Sequence, residues 1–242
     1  MMKRKAFWLA FRENPYRNIF IALGIVILFD ALAPNDLARG RFADLMLVAI
    51  FVAALIETVR TRHNAIAAMV LGLPAILLRV VVAFMDDSPS INGLTLAVNG
   101  LFIGFLIWNL LHDLATDERA TGERIFGALC AYVFIGLFFA LIYTHMEDRY
   151  PGTFTSSTGL IGEPGVPEAN LYPVFTYYSF ITLTTLGYGD ITPVAEHART
   201  LSWFEALLGQ LYLAVMVAGF VAVHISENMR KSRDDPPSRG SD

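Results

Sequence analysis

The chain has 242 residues, 55% of them hydrophobic and 17% charged, and a net charge of −4. That is too apolar for an ordinary soluble domain, and the charge gives no reason to expect nucleic acid as a partner. Its single cysteine, Cys130, lies in an apolar stretch and excludes an intrachain disulfide.

Residues 1–18 are basic (Lys3, Arg4, Lys5, Arg12, Arg17) and interleaved with Phe7, Trp8, Leu9 and Phe11. This is the make-up of an amphipathic segment lying in the cytoplasmic membrane interface. Apolar blocks follow at 19–33, 42–59, 65–85, 94–114 and 125–143. Each is of the order needed to cross about 30 Å of hydrocarbon as a helix. Ala31-Leu32-Ala33 has the small-x-small form of a signal-peptide cleavage site, but the long basic leader and Asp30 argue against cleavage. After a Gly/Pro/Ser/Thr-rich connection at 147–170 come a half-length aromatic segment, 172–184, and a last apolar block, 200–225. The tail from residue 228 is polar, carries prolines and predicts disorder on the cytoplasmic side.

Six crossings put both ends on one side, and the loop charges choose the side. Lys3, Arg4, Lys5, Arg12, Arg17, Arg60, Arg62, Arg119, Arg124, Arg230, Lys231, Arg233 and Arg239 then lie inside, against Arg39, Arg41, Arg149 and Arg199 outside. That asymmetry predicts a multi-pass inner-membrane protein with both termini cytoplasmic. The segment 172–184 therefore enters from the outer face and turns back. Irregular backbone at that depth must be buried in protein or line a wet cavity.

The chemistry concentrates in residues 182–193, TLTTLGYGDITP. Glycines alternate with larger residues, and glycine reaches positive φ without Cβ strain, so successive carbonyls can point one way. Such a row of oxygens can replace the water around a monovalent cation. TTLGYGD resembles the signature of the tetrameric potassium-channel family, departing from it at Leu186, where valine is usual. The resemblance covers roughly residues 125–225: outer helix, re-entrant pore helix, filter and inner helix.

The resemblance implies an all-α membrane protein of six transmembrane helices plus a pore helix and filter loop, assembled as a homotetramer. It implies a four-helix voltage-sensor-like domain at 19–114 and a pore domain at 115–227. Potassium would be coordinated by Thr185, Leu186, Gly187 and Tyr188, with Gly189 at the outer mouth and an Asp190 ring concentrating cations there. Pro173 suits the first turn of the pore helix. Tyr177 and Tyr178 stand where the family often has paired tryptophans, and would brace Tyr188. Gly209 falls at the family's inner-helix hinge, with close helix packing as the alternative reading, and Gly219 reads as packing.

Charges within apolar blocks need partners. At about 1.5 Å per residue, Asp30 and Arg79 lie at matching depth and form a plausible ion pair. Glu205 lies deep enough in the last block to reach the back of the pore helix, and is expected to support the filter through Thr184 or a pore-helix tyrosine. Gln210, also in this block, is the other polar residue of interest.

The block 94–114 contains no lysine or arginine, and 65–85 only Arg79. Voltage sensing needs several such charges, since each supplies only about 2.3 kcal/mol per 100 mV, so weak or absent voltage dependence is expected. No phosphate loop, metal cluster or nucleophile motif is present, so neither an enzyme nor a cofactor other than bound potassium ions is expected. The tail is too short for a ligand-binding domain, and such gating would need an unidentified partner subunit. Rival readings are a non-selective cation channel, a transporter subunit, and a non-conducting membrane scaffold with a vestigial filter.

Overall fold

The computed structural model describes residues 15–32, 48, 51–55, 58, 65–84, 89–116, 121–156, 161 and 171–234. Among them the chain is helical apart from one small sheet. Helices α1 (Pro15–Leu32), α2 (Ala65–Phe84), α3 (Pro89–Thr116) and α4 (Thr121–Arg149) come first. Strand β1 (Phe154–Ser156), helix α5 (Leu171–Leu183), strand β2 (Ile191–Pro193) and helix α6 (Glu196–Asp234) complete the order. Prolines open α1 and α3, where a missing N–H removes no helical bond.

Among the described residues three helices are long and apolar enough to cross a membrane, over Gly93–Ala115, Gly122–Arg149 and Glu196–Ile225. Shorter apolar stretches run over Tyr16–Ile25 in α1 and Ala65–Val81 in α2. The blocks at 19–33, 65–85, 94–114, 125–143 and 200–225 thus correspond to α1, α2, α3, α4 and α6. The block at 42–59 is described only in part, with residues 51–55 helical. Two boundaries need correction. Helix α6 continues through 228–234, where the composition predicts a disordered tail. The run NMRKSRD contains no helix breaker and carries good helix formers, so the helix propagates past the apolar block. Helix α1 likewise takes in residues 15–18 of the segment assigned to the interface; residues 1–14 and 235–242 lie outside the described residues.

Helix α4 is the hub, packing against α1, α3, α5 and α6. On the α3 side the core gathers Leu23, Phe51, Phe102, Ile103, Leu106 and Phe134, with Phe51 and Phe102 edge to face at 5.1 Å. Because lipid tails are as apolar as leucine, such contacts gain from close packing more than from leaving water.

At the other end of α4 a second core surrounds Tyr143, Phe154, Phe175 and Tyr178. Its ring pairs are tilted or edge to face, with Phe154 and Phe175 4.8 Å apart. Phe154 belongs to β1, which pairs antiparallel with β2 in the register Phe154–Pro193, Thr155–Thr192, Ser156–Ile191. The Val194 N–H donates to the Thr153 carbonyl at 2.8 Å, which leaves Pro193, having no N–H, at a pair that exchanges none. The Glu147 carboxylate, at the end of α4, accepts from the Gly152 N–H at 2.7 Å and the Phe154 N–H at 2.9 Å. The start of the 147–170 connection is therefore a strap fastened to the segment that follows TTLGYGD.

Candidate functional site

Helix α5 spans 13 residues, about 20 Å at 1.5 Å per residue, too short to cross a bilayer. Pro173 sits in its first turn. Gly136 is where α5 meets α4: a Cβ there would come within 2.9 Å of the Phe180 ring. The Ser179 hydroxyl donates to the Gly136 carbonyl at 2.7 Å. At the C-terminal end of α5, the Tyr132 hydroxyl donates to the Leu183 carbonyl at 3.2 Å.

The loop leaving α5 spends its N–H groups on that helix. Thr184 N–H bonds Phe180 O (3.0 Å), Thr185 N–H bonds Thr182 O (2.9 Å), and Leu186 and Gly187 N–H both bond Ile181 O (2.8 and 3.1 Å). The Thr184 hydroxyl also donates to Phe180 O, at 2.7 Å. Thr185, Gly187 and Gly189 have φ of 59°, 54° and 78°, and no other residue between 184 and 190 has positive φ. Near-mirror-image conformations therefore alternate, which turns successive carbonyls to one side. Among the described residues no backbone N–H donates to the carbonyls of 185–189. The loop leaves α5 as an exposed row of acceptors with the N–H donors of 184–187 already used.

Beyond it, the Asp190 carboxylate accepts from the Tyr177 hydroxyl at 2.7 Å and from the Ile191 N–H at 3.1 Å. Tyr177 thus holds Asp190 and not, within one chain, Tyr188, which is 67% exposed and makes no ring contact with Tyr177 or Tyr178. Tyr178 points the opposite way, into the core around Tyr143, and shares a 2.7 Å hydrogen bond with Ser202.

Glu205 is fully buried and does reach α5, but through Ser179 and not through Thr184 or a tyrosine of that helix. Its other oxygen accepts from the Tyr143 hydroxyl of α4 at 2.7 Å. One carboxyl group therefore ties α4, α5 and α6 together. Gly209 lies where α6 crosses the end of α5: a Cβ there would stand 2.1 Å from the Leu183 carbonyl oxygen. Helix α6 runs through it without interruption. At Gly219 a Cβ would meet nothing within 4 Å, so this glycine makes no close packing within the chain. The Gln210 amide donates to the Thr185 hydroxyl at 2.9 Å.

The Asp30 side chain lies outside the described residues. Arg79 stacks its guanidinium over the ring of Tyr172, 5.2 Å from the centroid, so α2 touches the start of α5. Sequence reasoning missed Tyr143, Ser179, Gly136 and Glu147. The available signals were polar Tyr143 and Ser179 inside apolar runs, and Gly136 within a run of bulky residues. Among the described residues no three His, Cys, Asp or Glu side chains converge as a metal site; carbonyl coordination of a monovalent cation requires none.

A half-length helix, an acceptor-lined loop and a long apolar helix packed on an apolar hub make this a mostly helical protein with helices long and apolar enough to cross a membrane. Residues 129–225 match the family model described as "Ion channel". The chain is 35% identical over 96 residues to two pore potassium channel c of Oryza sativa subsp. japonica, covering 38% of this chain and 19% of that protein. It is 26% identical over 137 residues to two-pore potassium channel 3 of Arabidopsis thaliana, covering 53% of this chain and 27% of that protein. The chain thus spans about a fifth to a quarter of the length of the curated relatives it matches.

Proposed function

We propose that this chain is one quarter of a homotetrameric, potassium-selective channel with six crossings per subunit and both termini in the cytoplasm. The observation that carries this reading is the alternating sign of φ along Thr185–Gly189, with every N–H of 184–187 turned back onto α5. Four copies around an axis would present the carbonyls of Thr185, Leu186, Gly187 and Tyr188 as stacked rings, each able to take over part of the hydration shell of potassium. Conduction is then passive: ions queue through these sites and repel one another forward.

The side chains fit supporting roles. Asp190, held by Tyr177, contributes one carboxylate to a ring at the outer mouth, where it raises the local cation concentration. Tyr188 is exposed in one chain because its surroundings would come from the neighbouring copy. Much of α6 is exposed and apolar, including Trp203, Phe204, Leu207 and Leu211, which suits a helix that meets neighbouring copies and lipid. Leu186 is exposed in one chain; in the assembly its carbonyl and not its side chain would meet the ion, so the departure from valine would fall on support and not on coordination. Similarity to plant two-pore potassium channels supports potassium as the ion. Without a ladder of basic residues the four preceding helices serve another purpose than voltage sensing.

Liposomes loaded with potassium and carrying the purified chain test the reading. Potassium efflux that sodium cannot replace is expected. Equal sodium and potassium fluxes would indicate a non-selective cation pore, and no flux of either ion would indicate a non-conducting scaffold.

A further inference from the structure

We infer that Gln210 is a filter-positioning residue: its side-chain amide holds the Thr185 hydroxyl, and with it the innermost cation site, in register. The inference rests on the reading of residues 185–189 as a filter, and adds to it a determinant on a different helix.

Among the described residues Thr185 is the single non-glycine with positive φ, at 59°. For a β-branched side chain that conformation is a steric outlier, which persists only where the surroundings impose it. The imposed contacts are few. The Thr185 N–H bonds Thr182 O at 2.9 Å, and the hydroxyl accepts from the Gln210 amide at 2.9 Å. The backbone bond fixes the turn; the side-chain bond fixes where the hydroxyl oxygen lies and which lone pair is spent. The remaining lone pair is what an ion at the inner mouth would meet.

Gln210 can reach because of its neighbour. Gly209 brings α6 onto the Leu183 carbonyl closer than any residue with a Cβ allows, so position 210 lies beside the loop and not a side-chain layer away. The surrounding helix, LLGQLYLAV, is otherwise apolar but for Tyr212. Gln210 is exposed in one chain, on the same side as the loop, and its amide bonds the Thr185 hydroxyl. The adjacent pair Gly209–Gln210 therefore acts as a seat for the lower end of the filter, one residue allowing approach and the other supplying the bond.

The test is the bi-ionic reversal potential of the full-length protein in planar bilayers, potassium on one side and sodium on the other. Gln210→Met keeps chain length and helix propensity and removes the donor. It should lower the potassium-to-sodium permeability ratio about three- to tenfold, the factor corresponding to one lost hydrogen bond. Thr185→Val, which keeps the shape of threonine and removes the acceptor, supplies the same test from the other side. If the bond is the link, the double variant is no worse than Thr185→Val alone. Detergent-solubilised protein gives an independent readout that needs no conduction: the thermal stabilisation by potassium over sodium should shrink in either variant. A selective wild type whose ratio and potassium stabilisation survive Gln210→Met overturns this inference, as does full additivity of the two substitutions. A wild type that passes no potassium refutes the channel reading itself, so the two failures are distinguishable.

Discussion

Replacing Gly209 by alanine separates two roles for that residue. If Gly209 is a hinge, alanine stiffens α6 and, as the better helix former by about 1 kcal/mol, leaves the folded protein at least as stable. If Gly209 is a contact point, the new methyl group arrives 2.1 Å from the Leu183 carbonyl oxygen. An ordinary carbon–oxygen contact is about 3.3 Å, so the helices must part by roughly 1.2 Å. The obstacle is backbone at the end of α5, with no flexible side chain to swing aside, which places the cost near the upper end of the roughly 1–3 kcal/mol typical of overpacking. Set against the propensity gain, the net loss is about 2 kcal/mol. For a chain of this size that lowers Tm by roughly 4–8 °C. Thermal unfolding of detergent-solubilised Gly209→Ala, followed by size exclusion, measures it. An unchanged or raised Tm would refute the packing argument and return the residue to the hinge reading.

Three further outcomes follow from the same geometry. Glu205→Gln can still accept from Tyr143 and donate to Ser179, so its stability should stay near wild type; Glu205→Ala leaves both hydroxyls without that partner beside a cavity and should cost about 2–5 kcal/mol. Equal losses in the two variants would show that the hydrogen-bond geometry joining α4, α5 and α6 is not what counts. Glu147→Gln has one acceptor oxygen for the two N–H groups of Gly152 and Phe154, so the strap should loosen and amide exchange at 154–156 should accelerate about tenfold; unchanged protection there would contradict the assignment. Finally, conductance should vary only weakly with voltage, because each charge moved contributes about 2.3 kcal/mol per 100 mV and no ladder of such charges exists. A steep conductance–voltage curve equivalent to several charges would refute that.

The helices were legible because a membrane fixes their length: an apolar block of the right size has few alternatives. The loop at 184–190 was legible because glycine at alternate positions constrains backbone sign, although nothing in the sequence marks Thr185 as adopting the same sign as Gly187 and Gly189. Partners were harder to read. Counting 1.5 Å per residue gives depth along a helix but not which way a side chain faces. Depth therefore brought Glu205 to α5 while leaving Ser179 unidentified, and it matched Arg79 with Asp30 while overlooking the ring of Tyr172. The strap was invisible for a different reason. Its strands have three residues each, and Phe154 meets Pro193 across nearly forty positions of chain, so no local periodicity announces the pairing. Tyr177 was placed beside the loop by resemblance, but the choice of Asp190 over Tyr188 depends on how the loop turns, which only coordinates reveal.

In the proposed pore, backbone oxygens of residues 185–188 from four copies bind a dehydrated monovalent cation. Crystals of the full-length protein grown in thallium, a heavy stand-in for potassium with strong anomalous scattering, test it most directly. A file of anomalous peaks is expected on a fourfold axis, level with the carbonyls of Thr185, Leu186, Gly187 and Tyr188. Peaks elsewhere, or a loop folded away from any shared axis, would contradict it.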